Sequence, residues 1–549
     1  MSASNKKKLR SELNAQKLTE RQLQEQKEAK KLKLYTTVFV VVLALLVVAA
    51  AALGIVKGIN KSGVLEHNTV AVTIGEHKLS NAELNYFYVD SIVNYYGQIG
   101  SYAYMFGLDI TKPLDEQIVN EETGETWADG FIDSAISDAK TVYAIADAAK
   151  AAGFELSEND LASIDNELMY AEFQALYSAG YPSIDSYLKA MYGTGATKEG
   201  YREYLVLRAL AGAYYNEYSA SLTYEDADLR EAEKENFNKY SSYTYYLKQI
   251  PVSKYLEGGI TTDAGNTTYS EQEKAAAQKK AEEIANSLIG EDVTSVDLFN
   301  KKISLMEGAS AEETSSKSDN VLYSDITTFL RDWITSSDRK EGDKKVIPYT
   351  TTSTVDGVEV ETVNSYYAVY YVSSNDNTYP LANVRHILVK PEGGTYNSTT
   401  GLYDYTEEQM AAAMDEAREI LAQWRKNNPT EESFAALANE KSADGDGTTG
   451  GLYQDVYPGE MVENFDAWCF AEGRKPGNVG LVESQFGVHI MYYVGDSETS
   501  YRDHMITEDL RSTDTTEWNS ALVEAMTVTE GNTKYLTTDV ILANITAGQ

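Results

Sequence analysis

The chain has 549 residues but a single cysteine, Cys469. One thiol excludes an internal disulfide framework and a thiolate zinc cluster. Histidine is nearly as scarce, at five. Positive charge is short too. The 47 Lys and Arg against 84 Asp and Glu leave a net of −37, which excludes a surface built to grip a nucleic-acid backbone. No P-loop, GxSxG or HExxH sequence occurs. Asp444, Asp446, Thr448 and Asp455 do not make an EF-hand, because Thr449 stands where that loop needs glycine. What is abundant is apolar and aromatic surface: 43% hydrophobic and 11% aromatic residues rule out global disorder, and the length suggests three or four domains. The 41 tyrosines pair an apolar face with a polar tip, which suits wet binding surfaces as well as cores.

The N-terminus sets the expected compartment. Val38 to Val56, "VFVVVLALLVVAAAALGIV", is uncharged and about long enough to cross a bilayer core of roughly 30 Å. Residues 1–34 carry 10 Lys/Arg and 4 Asp/Glu, so the remainder is more acidic than the chain as a whole. The positive-inside rule puts 1–34 in the cytoplasm, a transmembrane helix at 35–57, and everything after a 58–68 linker on the far side. The competing reading is a leader cleaved at the small-residue run Ala49–Ala52. The long apolar segment and very long basic arm favour an uncleaved anchor. No cysteine ends the apolar run, so a lipoprotein anchor is excluded.

From Val70, a strand, a turn at Gly75 and a helix opened by a Ser80/Glu83 capping box are expected. "SENDLASIDNELMYAEFQALYSAG" sets Leu161, Ile164, Leu168, Ala171 and Ala175 on one helical face, with Ser157 as cap and Gly180 as stop. Residues 69–240 therefore read as a mostly helical domain opened by a strand. Beyond Tyr240 an internal repeat appears. "SEQEKAAAQKKAEEIANSL" from Ser270 aligns without gaps on "TEEQMAAAMDEAREILAQW" from Thr406. "DWITSSDRKEGD" from Asp332 aligns on "AWCFAEGRKPGN" from Ala467. The flanking strands match as well: "YLKQIPV" with "VRHILV", and "AVYYV" with "IMYYV". Two copies of one α+β domain are expected, at 241–376 and 383–498, followed by a helix and a strand in 499–549.

The second copy holds His386 in its first strand and His489 in its last, so neighbouring strands would bring the imidazoles together. Four ordered segments, "RHILV", "FAALANEKSADGDGTTGGL", "YPGEMVENFDAWCF" and "SQFGVHIMYYV", resemble those of parvulin-type (PpiC) peptidyl-prolyl cis/trans isomerases. The whole layout resembles the PrsA/SurA class of extracytoplasmic foldases. That resemblance implies an α+β multidomain chain with one N-terminal transmembrane helix, a helical chaperone domain and two parvulin-like domains, each a four-stranded antiparallel sheet with helices, the first degenerate. It implies a catalytic set of His386, Asp444, His489 and Ser484, and a proline pocket of Leu452, Met461, Phe465 and Phe486. It implies no metal or cofactor. The implied partners are unfolded or partly folded secreted polypeptides with Xaa-Pro bonds, plus the membrane through the N-terminal helix, and no nucleic acid. Two departures stand out. "GGLYQ" from Gly450 replaces the family's "GGDLG", and the first copy shows Gln249 and Tyr367 where the histidines would fall. A non-catalytic holdase or scaffold that retains the fold is the competing function.

Overall fold

The computed structural model describes residues 62–536 except 110–111, 262–266, 311, 356–357, 428 and 446, together with 4–8, 10–11, 27 and 30. The apolar segment Val38–Val56 lies outside the described residues, among which no helix is long and apolar enough to cross a membrane. The described chain forms two compact units, one of 62–222 with 513–536 and one of Thr223–Ser512.

The first unit opens with strands β1 (Val70–Ile74) and β2 (His77–Ser80), joined by a turn in which Gly75 takes φ 56. Helix α1 (Asn81–Ile99) starts at the Ser80/Glu83 capping box, whose two reciprocal hydrogen bonds satisfy amides that the first helical turn leaves unpaired. Helices α2 (Trp127–Ala151), α3 (Glu158–Phe173), α4 (Ile184–Tyr192) and α5 (Lys198–Ser221) follow. Helix α3 begins at Ser157 as its spacing predicts, and continues as a π-helical turn, Gln174–Ser178, before Gly180. The core is apolar and tyrosine-rich, with Leu84, Phe87, Tyr88 and Ile92 of α1 buried against Ala135 and Ala139 of α2 and Tyr204 of α5.

The second unit holds helix α6 (Asp226–Glu235), then strand β3 (Ser242–Pro251), helices α7 (Glu271–Leu288) and α8 (Val296–Ser304), strand β4 (Ser316–Leu322), helix α9 (Thr328–Ile334) and strands β5 (Lys344–Val355) and β6 (Val358–Asn375). The same sequence of elements then recurs: β7 (Pro380–Val389), α10 (Glu407–Lys426), α11 (Glu431–Lys441), β8 (Leu452–Val456), α12 (Glu463–Cys469), β9 (Val479–Ser484) and β10 (Gly487–Ser500). The two antiparallel sheets share one order, β4-β3-β6-β5 and β8-β7-β10-β9. The paired helices α7 and α10 each begin at a complete capping box, Ser270/Glu273 and Thr406/Gln409. They bury alanines, Ala277, Ala281 and Ala285 in one and Ala413 and Ala417 in the other, which lets each helix lie close on its sheet.

The last helix, α13 (Tyr501–Ala525), contributes to both units. In the second, Arg502 is fully buried; it donates to Glu233 at 2.6 Å and to the carbonyls of Phe237, Tyr240 and Asp376. In the first, Trp518 stacks on Tyr218 at 3.9 Å. Strand β11 (Val528–Glu530) then pairs with β1. The strand expected from "TKYLTTDVILANI" begins among residues without strand structure and mostly lies outside the described ones.

Candidate active site

Alternation along β7 places Val384, His386 and Leu388 on one face of the second sheet and Arg385, Ile387 and Val389 on the other. The Arg385 face packs against α10 and α11. The His386 face is covered by α12, which sets Phe465 and Cys469 against Val384, Val456, Val482 and Met491. On β10, His489 and Met491 share that face, and the ladder places His386 opposite Met491 and Leu388 opposite His489. Both histidines are buried, at 3% and 5% exposure.

The loop after α11 delivers the carboxylate. Ser442 Oγ accepts from the amides of Leu388 at 3.1 Å and Asp444 at 3.2 Å, and the Ala443 amide donates to the Leu388 carbonyl at 2.8 Å. This stitching holds Asp444 beside β7. Further along the loop, the His386 amide donates to the Gly451 carbonyl. Gly451 has φ +64, and a Cβ there would lie 2.2 Å from the His386 carbonyl oxygen, so only glycine allows this approach.

Four predicted residues form one hydrogen-bonded chain. Ser484 Oγ lies 2.7 Å from His489 Nε2, His489 Nδ1 lies 3.1 Å from His386 Nδ1, and His386 Nε2 lies 3.0 Å from Asp444 Oδ2. A carboxylate only accepts, so His386 carries its proton on Nε2 and leaves Nδ1 bare. His489 must then donate from Nδ1 and accept at Nε2 from the Ser484 hydroxyl. Ser484 Oγ in turn accepts from the Phe486 amide at 3.1 Å. This proton arrangement uses every contact with two neutral imidazoles. Burial favours the same state. It holds His386 below the ordinary imidazole range against the pull of Asp444. It takes His489 down to about 4, with further lowering from His386 and opposition from Asp444.

Apolar groups close around the chain. Phe465 presents its ring edge-on to both imidazoles, 5.4 Å from His386 and 5.5 Å from His489. Met461 and Val462 pack into the same cluster. Phe486 is different: it lies exposed at the β9–β10 turn and reaches the site only through its amide. Cys469 is a buried core thiol, pushed up to about 12 chiefly by burial and then by Asp466.

Leu452 requires correction. The ladder pairs Leu452 with Arg385 and Tyr453 with Val384. Leu452 is therefore on the far face of the sheet, and Tyr453 lies on the His386 face. Its hydroxyl donates to Asp444 Oδ2 at 3.0 Å, and its ring meets His386 edge-on at 5.0 Å. Burial, reinforced by that bond, pushes the phenol up to about 12. The sequence signal was the "GGLYQ" departure: Tyr453, not Leu452, stands at the leucine of "GGDLG".

The sequence pattern of the PPIC-type PPIase (rotamase) domain matches residues 386–495, which contain this whole cluster. Residues 386–495 are a parvulin-type peptidyl-prolyl cis/trans isomerase domain. Foldase protein PrsA 1 of Listeria innocua is 25% identical over 241 residues, 44% of this chain and 69% of that protein. Among solved structures, the peptidylprolyl isomerase PrsA from Bacillus anthracis is 23% identical, covering 27% of this chain and 59% of that one, with a TM-score of 0.18. PrsA from Bacillus subtilis is 12% identical, covering 73% and 88%, with a TM-score of 0.27.

The first sheet of the isomerase lacks the cluster, but not quite as the gapless alignment has it. The Gly342 and Gly477 amides donate to the Tyr371 and Tyr493 carbonyls respectively, which matches those two tyrosines. Val369 then corresponds to Met491 and Tyr367 to His489. Opposite Val369 stands Leu247, so Leu247 and not Gln249 occupies the place of His386. Gln249 is two residues further along, opposite Tyr367, and donates to Ser365 Oγ at 3.0 Å. Phe329 packs on Tyr367 at 4.9 Å, with Leu247 in the same apolar cluster.

Proposed function

We propose that this isomerase is a membrane-anchored foldase acting outside the cytoplasm on secreted polypeptides, with catalysis at the Ser484–His489–His386–Asp444 chain. The observation that carries the catalytic reading is the unbroken set of contacts of 2.7, 3.1 and 3.0 Å beneath Phe465. Rotation about an Xaa-Pro bond faces a barrier of roughly 18–20 kcal/mol because the planar amide is stabilised by resonance. That resonance places charge on the carbonyl oxygen, and water stabilises it. Tyr453 and Met461, backed by the buried Phe465 and Met491, offer the proline ring a dry apolar face, so the bound amide loses water's preference for the planar form. The neutral imidazoles keep hydrogen bonds in place without adding a full charge under the ring. Asp444 is the one charged end of the chain and sits at its half-exposed edge. No bond is made or broken, so the role of the cluster is to hold shape and field rather than to act as a nucleophile.

A client-holding role finds support in the first unit. Met169, Tyr170, Phe173, Leu176 and Tyr177 are exposed along α3 and its π-helical turn, Tyr177 at 75%. Large exposed apolar patches of this kind mark interaction surfaces. The foldase reading is tested by refolding a secreted protein whose slow phase is Xaa-Pro isomerisation. The full chain should accelerate that phase at substoichiometric amounts; no acceleration contradicts the reading. Anchoring is tested separately by membrane fractionation with N-terminal sequencing, where a soluble product starting near Ala52 contradicts it.

A further inference from the structure

A cleft of about 1000 Å³ opens within the second unit, between its two four-stranded sheets. One wall is β4, through Asp319, Asn320, Val321 and Leu322, with Asp325 just beyond. Among the described residues β4 is an edge strand, paired with β3 on one side only. An edge strand offers a row of backbone donors and acceptors to any extended chain laid beside it. The backbone here is also unusual. Asn320 takes φ 48, its amide donates to Thr244 Oγ1 at 3.1 Å, and the ladder shifts register at that point. Bulges of this sort re-aim an edge.

The opposite wall is Tyr379, Phe470, Tyr493 and Asp496. Three carboxylates, Asp319, Asp325 and Asp496, line the cleft with one guanidinium, Arg474. Asp319 is paired with Lys317 at 2.6 Å, and Asp496 accepts from the Tyr493 hydroxyl, so Asp325 and Asp496 carry the acidic character. Arg474 lies over the Trp468 ring at 3.9 Å and donates to the Trp468 carbonyl. The cleft is therefore a tyrosine-lined, acidic slot at the upper end of ligand-pocket volumes. It is also coupled by geometry to the active site. His489 and Tyr493 lie on one face of β10, four residues or about 13 Å apart at the usual strand rise. Phe465 and Cys469 lie about one turn apart on α12, the first at the imidazoles and the second at the cleft.

We propose that the cleft is an exosite for an extended, lysine- or arginine-bearing segment of the same polypeptide whose proline occupies the active site. Backbone pairing to β4 holds the segment, and the cleft carboxylates select its charge. The inference rests on the isomerase activity and gives the first sheet a task that needs no catalytic cluster. Binding a segment several residues from the proline supplies remote binding energy, which a short peptide cannot provide.

The test uses the full chain and four peptides with one Xaa-Pro core. These are a tetrapeptide, a longer peptide with a lysine cluster beginning about five residues from the proline, its glutamine counterpart, and the lysine peptide N-methylated at alternate amides. The lysine peptide should show a KM about tenfold below the glutamine peptide, a coupling of ordinary size for linked sites. The advantage should disappear on N-methylation and in Asp325→Lys, while tetrapeptide turnover is unchanged in that variant. Should Asp325→Lys depress tetrapeptide turnover, Asp325→Asn replaces it and must weaken the lysine advantage alone. Equal KM values for the lysine and glutamine peptides, or an advantage that survives N-methylation or both Asp325 variants, overturn the proposal. A labelled proline-free lysine peptide separates the exosite from catalysis. It should bind the full chain without inhibiting tetrapeptide turnover, and competitive inhibition or no binding overturns the proposal even where isomerisation is intact.

Discussion

The two imidazoles give a prediction that can be worked through in numbers. Nδ1 of His386 and Nδ1 of His489 are 3.1 Å apart, so one proton fits between them and two do not. The two rings cannot both become cations without breaking that contact, and burial already takes His489 down to about 4. An unfolded histidine titrates near 6.5. Between those values the unfolded chain binds more protons than the folded one, so stability falls as pH falls. The contribution is fully present above about pH 6.5, is lost progressively down to about pH 4, and changes no further below that. The difference corresponds to a maximum of about 3 kcal/mol, and to about 2 kcal/mol lost between pH 7.5 and 5. Imidazole NMR on the chain, assigned through single replacements of the five histidines, reads this directly. His489 should stay neutral to near pH 4 with its proton on Nδ1, while His386 carries its proton on Nε2. Denaturant unfolding followed at the second sheet should then show wild type losing about 2 kcal/mol more than His489→Phe from pH 7.5 to 5. A His489 midpoint at or above 6.5, or the opposite tautomers, refutes the reasoning.

Three further outcomes follow from particular contacts. Tyr453→Phe removes the donor to Asp444 but keeps the ring against His386, so kcat/KM should drop by about tenfold, the low end for a hydrogen bond to a charged group because Asp444 is half-exposed. An unchanged rate would show that this bond does not matter. Phe465→Ala empties the space against both imidazoles and should destabilise the second sheet by about 3–5 kcal/mol, read by denaturant unfolding, with peptide turnover lost. A fragment of residues 241–376 should show no prolyl isomerisation, since Leu247 and Tyr367 stand at the histidine positions. Detectable turnover by a folded fragment would contradict that assignment.

Much of this site was legible because its signals are local. A histidine in an apolar strand, a glycine-rich loop and a second histidine in a matching strand each survive as short strings, and the capping boxes at Ser270 and Thr406 are three residues apart. What escaped depends on register. A one-residue offset moves a strand side chain to the other face, so Leu452 and Tyr453 exchanged roles once the ladder fixed Tyr453 opposite Val384. A two-residue offset keeps the face but changes the neighbour, so Gln249 yielded its place to Leu247. Such offsets are set by irregularities, among them the shift between Tyr371 and Ser373, which leave no mark on hydrophobic alternation. The cleft beside β4 was out of reach for a similar reason, because its walls are separated by more than 50 residues of sequence.

The central claim is that the His386–His489 cluster and its apolar cover accelerate proline isomerisation. It is tested most directly by kcat/KM on several Xaa-Pro peptides for the full chain, wild type beside His386→Ala and Met461→Ala. Wild type should turn over these peptides, and His386→Ala should lose about tenfold to a hundredfold through the broken buried network. Met461→Ala should lose less, chiefly through KM. Wild type without activity on any of the peptides, or His386→Ala at the wild-type rate, would contradict the account.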